Sequence, residues 1–423
     1  ALLDAAHAEI LASCDGAPPP ILDPFCGGGT IPLEAQRLGL EAHGSDLNPV
    51  AVLINKALIE IPPVFRDRPP VHPSLRHGLL TPRGAEGLAA DVRAYGEWMR
   101  EQAQARIGHH YPDATLPDGS RATVIAWLWA RTVTCPNPAC GIEMPLTSKW
   151  WLGKKKGKEA YVVPNVVADP AHASGRRVAF TIGHDPAQAP TPSTDGTVGR
   201  TGAVCLACQG AADLKYVRAE AQAGRMGATL MAVVAEGKRE RIYLAPTTEH
   251  VGAAFAPTPP DAPTAAIPPE ALGFRVQGYG MNHWADLFTN RQLVALTTFS
   301  DLVAEARERV LADALTTGMD EGERLEAGGT GAAAYADAVA TYLGFVVSKT
   351  VARNNTMCTW ETGMDRLRGA FQRQALPMTW DHAEANPLTL SGGGFLAVLQ
   401  SEIEVLELLS STSPGTALQA HPN

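Results

Sequence analysis

The sequence predicts an α/β chain carrying a β-rich insert and a helical region. Three observations predict it. Residues 21–46 alternate strand, glycine turn, helix and strand; the middle of the chain holds β-branched and aromatic runs between two close cysteine pairs; and helical spacing of apolar residues dominates beyond a Pro/Ala-rich linker at 257–269. The reading divides the 423 residues into a first α/β segment (1–130), a basic insert (131–256), and the linker with a mainly helical region (257–423).

Residues 1–13 place apolar side chains at helical intervals, Pro18-Pro19-Pro20 breaks the chain, and Ile21-Leu22 opens a short strand. The glycine turn leads into a helix over 30–38, a second strand over 41–45 and a second helix over 49–59. Six prolines between Pro62 and Pro82 make an irregular connector before a helix over 86–107, with Leu88, Val92, Tyr95, Trp98 and Met99 on one side. In the insert, 161–167, 177–182, 229–235 and 241–244 read as short antiparallel strands, and the polar stretch 186–202 as a mobile loop. Helices follow over 284–315, 332–354, 365–374 and 395–409. Trp284, Phe288, Leu293, Leu296 and Phe299 recur at core spacing; His283, Asp286, Arg291, Asn354, Asn355 and Asp381 are polar groups able to face DNA or a cofactor.

Hydrophobic residues make up 45% and charged residues 19%, which excludes wholesale disorder. With no run of about 18 apolar residues and no basic-then-apolar start, the sequence offers neither a membrane span nor a signal peptide, so a cytoplasmic, membrane-free setting is expected. Seven cysteines, an odd number, suit reduced thiols or a metal better than a disulfide framework. The net charge of -9 hides an asymmetry: residues 131–241 hold 15 Lys/Arg against 9 Asp/Glu, so an acidic body carries a basic insert.

Chemistry concentrates in three places. In Asp23-Pro24-Phe25-Cys26-Gly27-Gly28-Gly29-Thr30, three glycines let the backbone approach a ligand, and free N–H groups at the helix start favour an anion. Asp46 ends the next strand, where a carboxylate can accept the hydroxyls of a ribose. Cys26 has no base beside it in sequence and reads as a packing residue. Cys135 and Cys140, with Cys205 and Cys208, form two close pairs whose four thiolates suit a closed tetrahedral zinc site; Cys14 and Cys358 read as buried and inert. Between the pairs, residues 149–158 hold five lysines and two tryptophans, and Lys149, Trp151, Lys154, Lys155, Lys156 and Lys158 are the candidate nucleic-acid contacts.

The run Asp-Pro-Phe-Cys-Gly-Gly-Gly-Thr-Ile-Pro-Leu-Glu-Ala, continued through Gly44-Ser45-Asp46-Leu47-Asn48-Pro49, resembles the first motif of class I S-adenosylmethionine-dependent methyltransferases acting on base amines. Within them it resembles the bacterial adenine-specific DNA methylases that carry a zinc ribbon and a DUF1156 region, some of which serve restriction or phage defence. The resemblance implies a partial Rossmann-like core with a zinc-ribbon insert. It implies that Asp23, Phe25, Gly27 and Gly29 border the methionine part of the cofactor, Asp46 its ribose, and Leu47 and Asn48 its adenine, with DNA and other defence-system subunits as partners. The segments at 279–284, 286–292 and 374–381 match the family as well. The family's catalytic Asp/Asn/Ser-Pro-Pro-aromatic motif is not in the sequence; Asn386-Pro387-Leu388 is its nearest echo. The expectation is that the chain matches the front and middle of a longer protein without its DUF1156-type beginning, as a fragment or as a cofactor-binding remnant. An RNA base methyltransferase and a non-catalytic, zinc-stabilised DNA-recognition subunit are the alternatives.

Overall fold

A computed structural model describes residues 2–76, 78, 81–371, 375–409 and 413–420. The chain mixes helices and strands, as an α/β reading requires. It falls into two compact units built from stretches distant in sequence: Ala1–Gln102, Ser300–Val347 and Val398–Asn423 form one, Ala103–Phe299 and Ser348–Ala397 the other. The contiguous segments ending at 130 and 256 follow composition along the chain, whereas the units follow long-range packing.

In the first unit three parallel strands lie side by side, Ile21–Asp23 next to Ala42–Asp46 and that strand next to Gly415–Gln419. Parallel neighbours need crossover connections, and the helix Thr30–Arg37 supplies the first, packing Ala35 against Leu40 and Ala42. The second helix, Pro49–Asn55, is shorter than predicted, because a π-helical turn, Lys56–Glu60, takes over from it. The helix Glu86–Ile107 has the predicted bounds. Its fully buried Asp91 accepts hydrogen bonds from the Val71 and His72 amides (2.7 and 2.9 Å) and from the Tyr335 hydroxyl (2.6 Å), so one carboxylate fixes the proline-rich connector. Burial pushes that carboxyl up to about 6. Cys14 is half-buried rather than buried, since the helix Leu2–Ser13 ahead of it has no buried residue.

The second unit is organised on a five-stranded antiparallel sheet in the order Glu240–Leu244, Gly227–Gly237, Val124–Thr134, Asp381–Ala385, with Glu143–Leu146 paired along the far end of Val124–Thr134. All but the last residue of that central strand are buried. A strand buried on both faces shows no alternation, which is why its apolar run gave no strand signal. A second sheet joins Trp151–Gly153, Ala160–Ala168 and Arg176–Gly183. The stretch read as a mobile loop is fastened to it: Asp195 accepts from the Trp150 amide, the Trp151 indole donates to the Pro190 carbonyl (3.1 Å), and the Thr197 amide donates to the Thr147 carbonyl (2.8 Å).

The predicted helix at 365–374 is not formed. Thr359–Glu361 and Arg366–Arg368 pair as a hairpin, Asp365 takes φ 51° at its turn, and residues 372–374 lie outside the described residues. Tertiary contacts override the helical pattern: the buried Trp360 indole donates to the Leu152 carbonyl at 2.9 Å, and Asp365 accepts from the Tyr243 hydroxyl at 2.8 Å.

A fully buried ion pair in this unit joins Arg291 and Glu384, whose side chains are 0% and 1% exposed. Two guanidinium nitrogens reach the two carboxylate oxygens at 2.9 and 2.7 Å, a third donates to the His110 carbonyl (2.8 Å), and the Trp129 indole and Thr289 hydroxyl complete the carboxylate shell. The guanidinium lies 4.3 Å from the Trp127 ring centre and 5.1 Å from that of Tyr111. Arg291 therefore faces protein, not DNA or cofactor. The same holds for Asn354, 0% exposed, and Asn355, whose amide oxygen accepts from the Met357 backbone. Asp381 accepts from the Ser148 amide and hydroxyl, and Asp286 caps the Trp284–Leu287 turn through the Asn282 and His283 amides.

Truncating Glu384→Ala strands a buried cation and is expected to cost about 3–5 kcal/mol, while Arg291→Met with Glu384→Leu together should sit nearer the parent than either single change. Urea unfolding followed by tryptophan fluorescence checks this; a single variant as stable as the parent would contradict it.

Candidate functional site

The glycine turn leaves the carboxyl end of Ile21–Asp23, and Asp46 ends the adjacent strand, with Asp23 in register with Gly44. All seven residues expected at this site, Asp23, Phe25, Gly27, Gly29, Asp46, Leu47 and Asn48, thus lie at or just beyond the ends of two neighbouring strands in one unit, the position where open α/β sheets leave a crevice. Asp46 joins the two loops: one oxygen accepts from the Gly27 amide at 2.9 Å and the other from the Asn48 amide at 2.8 Å. These backbone donors, Asn48 first and Gly27 second, hold its carboxyl below the ordinary range, so it is anionic at neutral pH. Each oxygen keeps a further lone pair.

The glycines divide the work. Gly29 has φ 81°, and a Cβ there would lie 2.8 Å from the Asn55 side-chain oxygen, so it is glycine for packing. A Cβ on Gly28 would meet nothing within 4 Å, and one on Gly27 only the Phe25 carbonyl at 3.9 Å. Open space lies over that part of the turn. Phe25 is 83% exposed, and Leu47, Val50 and Ile31 are exposed around the same strand ends, apolar surface of the kind that marks a binding site. Asn48 serves as helix cap, its oxygen accepting from the Val50 amide at 3.0 Å, and Asp23 accepts from the Phe25 amide at 3.1 Å.

Sequence reasoning missed Asn55. Fully buried, it donates to the Gly27 carbonyl (3.0 Å) and the Ala51 carbonyl (2.9 Å), clamping the turn from below. An amide inside the apolar helix run Ala51-Val-Leu-Ile-Asn55 is the signal that could have found it. Cys26 is buried, and burial followed by the Asp46 charge pushes its thiol up, as suits a packing residue and not a nucleophile. Burial likewise pushes Cys358 up to about 11.

The second unit brings Cys135, Cys140, Cys205 and Cys208 together, their sulfurs all within 4.8 Å of one another. Cys135 and Cys208 are 3.6 Å apart, Cys140 and Cys205 3.8 Å, against about 3.8 Å for the edge of a tetrahedron with 2.3 Å metal–sulfur bonds. The four cysteines can hold a metal ion. Each pair sits on a tight turn: the Cys140 amide returns to the Asn137 carbonyl, Gln209 takes φ 59°, and the Gly210 amide points at the Cys208 sulfur (3.4 Å). That last contact is the main reason the Cys208 thiol is lowered to about 7, while burial raises Cys135 and Cys205. Arg176 lies 3.6 Å from the Cys140 sulfur, a cation beside the cysteine cluster.

The Lys/Trp segment is more self-satisfied than its composition suggests. Trp150 is buried, and Trp151 is half-buried against Tyr161. Lys149 donates to the Trp360 carbonyl (2.7 Å), Lys155 pairs with Asp365 (2.7 Å) and Lys158 with Glu240 (2.7 Å), and the Lys154 ammonium stands 5.1 Å from the Trp151 ring centre. Lys156 is exposed with no carboxylate partner among the described residues. Asn386, the echo of the catalytic motif, is 3% exposed; its amide donates to the Val124 carbonyl and accepts from the Leu388 amide. Among the described residues no helix is long and apolar enough to cross a membrane.

Metal analysis of the purified chain should find about one zinc per chain. Cys205→Ser should release it and unfold the turns around it, since binding and local folding are coupled; a metal-free chain with this region intact would contradict the assignment. Comparison of the chain with protein families, with curated proteins and with solved structures finds no match.

Proposed function

We propose that this chain is the cofactor-binding and DNA-binding part of an S-adenosylmethionine-dependent methyltransferase that modifies the exocyclic amine of adenine in DNA. The observation that carries the reading is the Asp46 carboxylate, anionic and bridging the Gly27 and Asn48 amides at the ends of two parallel strands, beside glycines that face open space. A fixed carboxylate with unused lone pairs suits the two hydroxyls of a ribose, and a backbone without Cβ atoms admits close approach. The strand arrangement around it fits a partial Rossmann-like core. Bound there, the cofactor would supply an activated methyl group on a sulfonium, leaving the protein little acid–base work. The chain's own residues position: Asp46 orients the ribose, the glycine turn sets the backbone, and Phe25 and Leu47 offer apolar cover.

In the second unit a zinc held by the four cysteines would act structurally, with no open coordination position. The excess of lysine and arginine over residues 131–241 supports DNA as the partner. Asn386 is buried, with its side chain donating to the Val124 carbonyl and accepting from the Leu388 amide, a poor placement for receiving a target amine, which favours the reading in which this chain binds cofactor and DNA without a catalytic motif of its own.

Calorimetry should detect S-adenosylmethionine binding, and Asp46→Ala should weaken it roughly tenfold or more, as loss of charge-assisted hydrogen bonds implies. Equal affinity in the variant would refute the ribose assignment. Incubation of the 423-residue chain with methyl-labelled cofactor and mixed-sequence DNA should transfer no label; substantial transfer would mean that an amine acceptor lies among its own residues.

A further inference from the structure

A cavity of about 600 Å³ in the second unit plays no part in the reading above. Its walls come from the hairpin of Thr359–Glu361 and Arg366–Arg368, the turn after the helix Ala332–Val351, and the glycine loop ahead of the helix Phe395–Leu408. Five cations line it, Arg241, Lys349, Arg353, Arg366 and Arg368, against two carboxylates, Glu361 and Asp365. Both carboxylates are already engaged. Glu361 pairs with Arg366 at 2.8 Å, and Asp365 pairs with Lys155 at 2.7 Å while accepting from the Tyr243 hydroxyl. Arg353 donates to the Gly392 carbonyl at 2.7 Å, and a Cβ on Gly392 would meet nothing within 4 Å. Lys349 and Arg353, at and just beyond the last turn of their helix, also complement its dipole. That explanation does not reach Arg241 and Arg368, which have no carboxylate partner among the described residues.

Uncompensated positive charge in a concave wall focuses the field on whatever enters. Arg241 and Arg368 carry forked donors that match phosphate oxygens two at a time, whereas Arg366 is paired with Glu361 and Arg353 donates to the Gly392 carbonyl. The lysine segment, by contrast, spends Lys149, Lys155 and Lys158 on internal partners.

We propose that this cavity is a binding site for linked phosphates and that Arg241 and Arg368 are its principal ligands, the occupant being the backbone of a nucleic-acid strand. The choice of a strand rests on the nucleic-acid reading above; the same phosphate chemistry is offered by the polyphosphate of a free nucleotide, and the test separates the two.

The full chain, with its metal bound, is titrated with a labelled single-stranded oligonucleotide and separately with inorganic tripolyphosphate, at several salt concentrations. The Arg241→Gln/Arg368→Gln variant should bind the oligonucleotide about tenfold more weakly. Its log affinity against log salt should be shallower by about 1.5, the loss of two phosphate contacts. Arg368→Glu, a change at an exposed position that leaves the core intact, should weaken binding further than Arg368→Gln. Unchanged affinity and slope in these variants, with loss in Lys154→Ala/Lys156→Ala, would overturn the cavity as the site and leave the nucleic-acid reading standing. Tripolyphosphate binding that depends on Arg241 and Arg368, without oligonucleotide binding, would uphold the phosphate site and overturn the nucleic-acid strand as its occupant. Binding of neither would overturn both.

Discussion

A single buried ion pair organises the unit that holds the four-cysteine cluster and the basic cavity. Taking Arg291 and Glu384 out of water costs several kcal/mol per ion, and the cost is offset by the hydrogen bonds that the guanidinium and the carboxylate themselves make, to each other and to their neighbours. The matching groups come from far apart in the chain: His110, Trp129, Thr289 and the strand Asp381–Ala385 itself. The pair thus ties these segments to one another. The central strand it braces runs directly into Cys135, and the same strand pairs with Glu143–Leu146 beyond Cys140, so the first cysteine turn is held at a fixed strand end. Stability here and geometry at the cysteines have a common origin.

The first unit uses the opposite device. Its site lies at exposed strand ends, and a carboxylate bonded to backbone amides, not to a cation, fixes the two loops. An acid held this way stays ionised while keeping acceptor capacity toward solvent, which a buried ion pair cannot do. Asn55 supports the turn from the buried side, so the glycines on the open side carry no packing duty except at Gly29.

Much of this was legible. The glycine turn, the strand-end acid and the paired cysteines are short-range patterns, and the helix Glu86–Ile107 announces itself by its apolar spacing. What was not legible depends on contacts between distant residues. Val124–Thr134 is buried along all but its last residue, and Asp381–Ala385 carries Glu384 because the Arg291 guanidinium is buried against it, while His382 stacks on Trp129. Neither shows the alternation that marks a half-exposed strand. The segment at 365–368 has a helical pattern but turns into a hairpin because Trp360 is anchored across the unit. Lysines that looked like a DNA-binding tip are in part structural, a distinction that charge counting along a chain cannot make.

The proposed place of an adenosine-bearing cofactor is over the glycine turn and against Asp46. Amide hydrogen exchange of the whole chain, with and without S-adenosylmethionine, tests this without assuming any mutation to be harmless. The cofactor is expected to slow exchange in residues 23–30 and 44–50 and to leave the cysteine turns at 135–141 and 205–210 unchanged. Protection that appears elsewhere while the glycine turn exchanges as before would contradict it.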